Sequence, residues 1–449
     1  MNYTEFKQAV IAAAEAKQVK DYELYYTESA ETQTEIFKTE IKGFTTNNSL
    51  GVCFKCLVDG KMGYASTEHL SLEEAESLVE RALANAVSIE SEDLAFIHTK
   101  GDTYATYEKE EGKVPTSAEL IDLALAIQNQ LYATDDRVVD GTQAAAGYIE
   151  SKSALYNSNG LDLQDDAKFA FAYGMAVVAD NGEMFDGMDV VSGKMETFNI
   201  EKVAKEAVKD AVETMGAAPV ESGKYPVVFS NKVMASMLST YASVFSAEAA
   251  QKGLSLLKGK EGEQIAADII TLTDDPMKSD ALVKCTFDAE GVATYKKNVI
   301  ENGTFKTLLH NLKTAAAAGV KTTGNGAKAS YASTVGIRPY SFFINPVKGR
   351  LEDIMAQAGN GVYVTSVEGM HAGANPITGD FSLAASGFRI ENGKKTTPVK
   401  SITVSGNFFN LLKDIVAVGE DLKFSPFALG ASRCGSPSVL VKEMTIAGK

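Results

Sequence analysis

Asn47-Asn48-Ser49-Leu50-Gly51-Val52-Cys53-Phe54-Lys55-Cys56-Leu57-Val58-Asp59-Gly60-Lys61-Met62 sets alternating runs between two turn signals. Asn47-Asn48 and Asp59-Gly60 are pairs that tolerate the left-handed backbone of a tight hairpin. The spacing predicts a set of hairpins that ends near residue 67. Outward from it, residues 4–19 read as an amphipathic helix with Phe6, Val10, Ile11 and Ala14 on one side. Downstream, Ser71 and Glu74 form the signature of a capping box. Leu72, Ala75, Val79, Ala82 and Ala86 give the helix that follows an apolar face.

The same alternation of helix and strand signals continues. A charged, turn-rich stretch over 88–115 marks a boundary. Thr116 and Glu119 form a second capping box, for a helix running to about Ala133. Strand patterns return from Arg137 to Ser192, broken at Asn157-Ser158-Asn159-Gly160 and Asp180-Asn181-Gly182. Asn199 caps a third helix, with Ile200, Val203, Ala207, Ala211 and Met215 inward and Gly216 at its end. Gly216–Gly223 reads as a linker. Beyond it come β-rich runs at Tyr225–Phe229, Gly361–Val367, Phe388–Ile390 and Ser401–Val404, with helices expected over Asn231–Ala250 and Leu351–Ala358. The expected fold is α+β: a modular N-terminal α/β half of hairpins and helices, then a large β-rich C-terminal domain. The expected units are residues 1–110, 111–220 and 221–449.

Composition narrows the function classes. The 449 residues are 45% hydrophobic and 23% charged, as in an ordinary globular protein. With 59 acidic against 43 basic residues the formal charge is −16, which argues against a general nucleic-acid binder. No apolar run reaches the roughly 18 residues of a membrane helix. The opening residues Met1–Phe6 lack a basic segment and an apolar core, so no secretory signal is expected. Four cysteines do not make a disulfide framework. A cytoplasmic protein with reduced thiols follows.

Each chemical motif has an ordinary reading beside it. Cys53-Phe54-Lys55-Cys56 is a lone CxxC inside strand sequence, where the two thiols point to opposite faces. The four histidines, His69, His98, His310 and His371, lie far apart in sequence, without the paired spacing of a zinc site. His371 stands out because it lies in the glycine-rich Glu368–Asn375 segment. Ser255-Leu256-Leu257-Lys258 matches SxxK, but the companion elements of a Ser–Lys hydrolase are missing. Gly324-Asn325-Gly326 and Gly359-Asn360-Gly361 lack a third glycine and read as turns. Asp274-Asp275-Pro276 offers oxygen ligands to a hard cation, or ends a strand with its carboxylates on local backbone. No complete catalytic constellation is visible from residue chemistry alone.

Three longer stretches carry more. They are Ser246–Gly253 continuing into Gly262–Ala266 and Asp274-Asp275-Pro276; His371–Ser382; and Ser405-Gly406-Asn407 with Ile415–Leu422. On these the chain resembles the TldD/TldE (PmbA) family, also labelled modulators of DNA gyrase, and the resemblance extends over nearly the whole length. It implies a cytoplasmic zinc-protease assembly that degrades or processes unfolded peptides. In the catalytic TldD-type subunits the first stretch carries His-Glu-x-x-x-His, the histidines binding zinc and the glutamate activating water. Here those histidine positions fall on Ala247 and Lys252, and only Glu248 remains. Neither Ala nor a protonated Lys ligates zinc. Cys434 lies nearer the C-terminus than the family's ligand cysteine and is not given that role.

The resemblance therefore implies a TldE/PmbA-type subunit with no metal or catalytic residue of its own, zinc residing in a TldD-type partner. It implies a chamber that holds extended peptide, with His371, Gly373, Asn375, Gly379 and Phe381 as candidate peptide contacts. Two alternatives stand beside it. One is a homodimeric peptide-binding or regulatory protein acting without proteolysis. The other is an autonomous hydrolase built on Glu248, His371 or Cys434. Neither nucleic acid nor membrane is an expected partner.

Overall fold

The computed structural model describes residues 1–90, 94–108, 112–425 and 428–449. Residues 91–93 and 109–111 of the turn-rich stretch 88–115 lie outside the described residues. Helix α1 (Tyr3–Ala16) leads into β1 (Asp21–Phe37), β2 (Glu40–Val58) and β3 (Lys61–Thr67), followed by α2 (Leu72–Ser88) and α3 (Ser117–Thr134). Then come β4 (Gln143–Asn157), β5 (Asp162–Asp180), β6 (Glu183–Gly193) and α4 (Ile200–Glu213). The strands form one antiparallel sheet in the order β3-β2-β1-β4-β5-β6. Strands on either side of residue 110 thus share a single sheet, because β1 runs alongside β4 from Glu23↔Asn157 to Phe37↔Gln143.

All four helices cover the same sheet face. Phe6, Val10, Leu78 and Ala82 pack with Leu24, Phe54 and Cys56, and Leu120, Ile127, Val203 and Ala207 pack with Ile36, Ala144 and Ala172. Even-numbered residues of β1 therefore face the helices and odd-numbered ones face away. The capping box at Thr116 forms in full. At Ser71 only half forms: its side chain accepts from the Glu74 N–H, while the Glu74 carboxylate pairs with Arg81.

One turn differs from expectation. Asp59-Gly60 is a hairpin turn, with φ of 49° and 80°, but Asn47-Asn48 lies inside β2. The chain turns instead at Lys38-Thr39, with φ of 51° and 61°. Neither residue favours that backbone, so the turn has no local signature. The long ladder to β1 outweighs the turn preference of the two asparagines.

The C-terminal half begins with β7 (Gly223–Phe229), α5 (Asn231–Tyr241) and α6 (Ala247–Gln251). It continues with β8 (Leu272–Asp275), β9 (Lys297–Glu301), β10 (Thr304–Phe305), α7 (Leu312–Ala318), β11 (Gly326–Lys328), β12 (Val335–Ile337) and β13 (Ser341–Ile344). After α8 (Leu351–Ala358) come β14 (Gly361–Glu368), the short α9 (Met370–Gly373), β15 (Asp380–Glu391), β16 (Lys394–Asn407) and α10 (Phe408–Asp414). The chain ends with β17 (Ile415–Val418), β18 (Lys423–Phe424), β19 (Arg433–Ser436) and β20 (Val439–Ala447). One sheet runs β16-β15-β14-β7-β20-β17, and a β16–β20 pairing closes it into a barrel. A second runs β10-β9-β8-β13-β19-β18. The architecture is α+β with a β-rich C-terminal half. Among the described residues no helix is long and apolar enough to cross a membrane.

The expected helix over Asn231–Ala250 is interrupted. After α5 a 3₁₀ turn covers Ala242–Phe245, and Ser246 is extended, with ψ 127°, before α6 starts. Ser246 is drawn into a parallel bridge with Leu309, a contact no local pattern announces.

Buried polar groups hold the C-terminal half together. The Asp274 carboxylate has no exposed surface, and it accepts from Lys297 Nζ at 3.1 Å, Asn325 Nδ2 at 2.8 Å and the Tyr340 N–H at 2.7 Å. Asp274 is therefore the anchor of a buried ion pair, not a free cation ligand. Asp275 instead accepts from the Met277 N–H, the local bond expected at a strand end. The two halves meet at a second buried cluster. Lys55 pairs with Glu23 across β1 and β2 at 2.8 Å, and Glu290 approaches the pair from the C-terminal side with Asp288 next to it. Asp288 accepts from the Glu290, Val292 and Gly326 N–H groups. Even so, burial pushes its carboxyl up to about 8, with the Glu290 carboxylate adding to the shift, and burial raises Glu290 as well.

Two outcomes follow. Lys297→Met strands the Asp274 charge in the core and should cost about 3–5 kcal/mol in urea unfolding. An acid whose pKa is raised by folding binds its proton more tightly folded than unfolded. Stability should therefore fall as pH rises from the unfolded value of 3.8 through the folded value of about 8, then level off. Glu290→Gln removes the neighbouring charge and should flatten that decline, as read by unfolding midpoints between about pH 5 and about pH 9.

Candidate functional site

The Glu248 segment is built from its caps outward. The Ser246 side chain accepts from the Ala249 N–H, starting the five-residue α6. The Ala247 N–H donates to the Leu309 carbonyl at 2.9 Å and the Leu309 N–H donates to the Phe245 carbonyl at 2.8 Å, so the helix start is stitched to the segment beside His310. Gln251 Nε2 donates to the Thr314 carbonyl at 2.8 Å, tying the helix end to α7. This pinning turns Ala247 and Ala250 into the core and leaves Glu248 and Lys252 outside. There Lys252 Nζ meets a Glu248 carboxylate oxygen at 2.6 Å, with the side chains 63% and 40% exposed. An ion pair so exposed contributes little stability. Its meaning is chemical, because the neighbour of the carboxylate is an ammonium and not a metal donor.

Zinc, which the resemblance assigns to this helix in catalytic relatives, does not fit the donor set found here. One ligand position is a buried methyl group, and the other is a cation that would repel a second cation. Glu248 is the single oxygen donor left on the helix. Among the described residues no group of three or more His, Cys, Asp or Glu is placed to hold a metal ion. His310 lies beside the helix but is buried, its Nδ1 without a hydrogen-bond partner and its basicity lowered by burial. Cys434 lies in β19 next to Phe342, inside the C-terminal core, where burial pushes its thiol up to about 12. It is a packing residue, not a nucleophile or a thiolate ligand.

The remaining motifs resolve the same way. Ser255 is buried, donates to the Val244 carbonyl at 2.5 Å and accepts from the Leu257 N–H, so its hydroxyl serves a turn. Cys56 packs among the helix-side residues of the N-terminal sheet, and burial pushes its thiol up to about 11.

The His371–Ser382 stretch is not the open loop its glycines suggest. Met370–Gly373 forms the short helix α9, with His371 exposed on it. Asn375 Oδ1 accepts from the Ile377 and Thr378 N–H groups, and Asn407 Nδ2 donates to the Thr378 carbonyl and to Asp380. The loop is thereby clamped to the end of β16. Gly373, Asn375 and Phe381 come together around a shallow hollow of about 440 Å³. His371 and Gly379 do not line it. The Phe381 ring belongs to the core, so what it offers the hollow is main chain. Gly379 has φ +85°, and a Cβ there would meet the Phe409 ring at 2.6 Å; a Cβ on Gly373 would meet the Ser382 carbonyl at 2.4 Å.

Sequence reasoning misses a larger cleft of about 490 Å³ between the two halves. Tyr25, Ser29 and Phe169 line it from the sheet, and Phe287, Lys328 and Arg338 from the C-terminal side. Such a site exists only once distant segments dock. One local signal was available: a charged Glu23 and a charged Lys55 in otherwise apolar strand runs, which prove to be cross-strand partners.

Residues 222–448 match the PmbA/TldA metallopeptidase C-terminal domain, residues 110–214 its central domain and residues 22–86 its domain 1. A metalloprotease PmbA homologue of Haemophilus influenzae is 26% identical over 414 residues, 90% of this chain and 87% of that protein. The structure is similar to that of a Thermotoga maritima protein described provisionally as a modulator of a DNA gyrase. That pair is 34% identical with a TM-score of 0.90, covering 99% of this chain and 100% of the other. TldE from Thermococcus kodakarensis shares the fold, with a TM-score of 0.88 at 24% identity over 98% of this chain and 99% of that one.

The clamp on the hollow has a direct test. Gly379→Ala forces a side chain into left-handed backbone against Phe409 and should destabilise the chain by about 1–3 kcal/mol in urea unfolding.

Proposed function

The chain belongs to the PmbA/TldD metallopeptidase family, and we propose that it is a non-catalytic, TldE/PmbA-like subunit of a cytoplasmic zinc-protease assembly. Its partner is a TldD-type chain that carries the zinc. This chain completes the chamber and helps to hold an unfolded peptide in extended form. The observation that carries the reading is the outer face of α6, where Lys252 is bonded to Glu248 and Ala247 is turned inward. A glutamate base of this kind acts on metal-bound water, and here neither Ala247 nor Lys252 offers a metal donor beside it.

The contact with peptide falls to main chain. The hollow at Gly373, Asn375 and Phe381, with His371 and Gly379 flanking it in sequence, presents backbone that a close-lying strand of peptide can reach. Main-chain hydrogen bonding of this kind reads extension rather than sequence. An autonomous hydrolase is the weaker reading, since the Cys434 thiol is buried and protonated and no metal donor stands beside Glu248 on α6. A regulatory homodimer without proteolysis would ignore a TldD-type chain altogether, which separates it by experiment.

The test begins with the metal content of the purified chain, expressed without a metal-binding tag, followed by peptidase assays alone and with a TldD-type partner. Zinc well below one per chain, no activity alone and activity on mixing are expected. Glu248→Gln should leave the activity of the mixture within about twofold. Stoichiometric zinc that survives dialysis, or loss of turnover in Glu248→Gln with assembly intact, overturns the reading.

A further inference from the structure

The cleft of about 490 Å³ between the halves carries charged groups of both signs, but the two signs are differently occupied. Its acids are already bonded. Glu28 pairs with Lys152 and accepts from the Tyr26 hydroxyl. Asp165 accepts twice from Thr286, and Asp166 is engaged as well. The Asp288 carboxyl accepts from three backbone N–H groups. The cations are less committed. Among the described residues neither Arg338 nor Lys328 has a carboxylate partner. Arg338 is exposed, and Lys328 Nζ rests 5.2 Å from the centre of the Tyr25 ring.

Two phenols add to this set. Tyr340 lines the cleft with only 8% of its surface exposed, and Tyr25 lies close enough to interact with it electrostatically. Neither hydroxyl has a hydrogen-bond partner among the described residues. Burial raises the pKa of both, so each keeps an O–H to donate. A hydroxyl taken out of water without a partner costs free energy that an acceptor brought into the cleft would recover. The open groups are thus two cations and two O–H donors, and what they lack is an acceptor with negative charge. A guanidinium fork matches the two oxygens of a carboxylate. Four carboxyl groups nearby favour a singly charged guest over a doubly charged phosphate ester. Phe169 on the sheet side and Phe287 on the C-terminal side supply apolar wall. Apolar walls with a few convergent polar groups are the usual make-up of a small-ligand site.

We propose that this cleft binds a carboxylate carried on an apolar or aromatic group, with Arg338, Lys328 and the Tyr25 and Tyr340 hydroxyls on the carboxylate and Phe169 and Phe287 against the apolar part. Such a group is found at the C-terminus of a peptide with an apolar last residue and in a free aromatic acid. The site needs neither zinc nor a partner chain, so its test is independent of the role proposed for α6.

Titration calorimetry of the full chain tests it, with phenylpropionate and an N-acetylated tripeptide ending in phenylalanine, each as free acid and as amide. Each acid should bind about tenfold or more tightly than its amide, and more weakly as salt is raised. The acid that binds more tightly identifies the source, a peptide end or a free aromatic acid. Arg338→Gln, at an exposed position, should raise the dissociation constant of the acids about tenfold. Tyr340→Phe removes an oxygen that bonds to nothing in the fold. Its urea midpoint should hold while the acids bind about threefold more weakly, which a merely structural role would not produce. Acids that bind no better than their amides overturn the proposal. So does the absence of binding by either acid at low-millimolar concentration, or a preference for acid that both variants leave unchanged.

Discussion

The ion pair between Asp274 and Lys297 is the constraint on which the C-terminal half is organised. A carboxylate with no exposed surface survives only where every bond it needs is supplied from within the fold. Lys297 comes from β9, Asn325 from the segment before β11 and the Tyr340 N–H from the segment before β13. The network does not stop there. Thr323 donates to Asn325 Oδ1 at 2.8 Å and accepts from the His310 N–H at 2.6 Å, and the neighbouring Leu309 carbonyl receives the N–H of Ala247. A continuous line of polar contacts and one peptide step thus leads from the buried charge to the start of α6. The geometry of the Glu248–Lys252 face is inherited from a charge buried elsewhere in the fold.

The junction between the halves follows the same physics with a different outcome. Asp165 on β5 accepts from both the N–H and the hydroxyl of Thr286, and the Tyr104 hydroxyl donates to the Gly291 carbonyl. Leu155 and Leu161 pack on Phe287. Around these contacts the Glu23–Lys55 pair faces two more buried carboxyls than it has charge to neutralise. The excess is met by raised pKa values rather than by further lysines. The docking of the halves is therefore linked to proton uptake.

A family scaffold can keep its architecture while the chemistry at one helix changes, because the two rest on different residues. The barrel, the second six-stranded sheet of the C-terminal half and the caps of α6 depend on apolar packing and backbone pairing. On the reading proposed above, the metal ligation of a catalytic relative would depend on donor atoms at the positions of Ala247 and Lys252. Here the Ala247 methyl packs inward and the Lys252 ammonium pairs with the Glu248 carboxylate. Neither arrangement disturbs the bonds that hold the helix.

Local chemistry alone sufficed for much of the fold. The caps at Thr116 and Asn199, the Asp59-Gly60 turn, the breaks at 157–160 and 180–182 and the α8 boundaries are legible because each is specified by residues within a few positions of one another. What depended on packing is long-range. Asn47-Asn48 carries a turn signal, yet it is strand, because β1 provides a ladder that a four-residue window does not contain. The helix over Asn231–Ala250 breaks at Ser246 because Leu309 pulls the backbone into a bridge. Asp274 reads equally as a cation ligand or a strand end until Lys297 and Asn325 arrive. The cleft between the halves is hinted at only by the charges of Glu23 and Lys55, and the hollow at Gly373 has no local signature at all. They are spaces left by contacts between residues far apart in sequence, and only the folded chain brings those residues together.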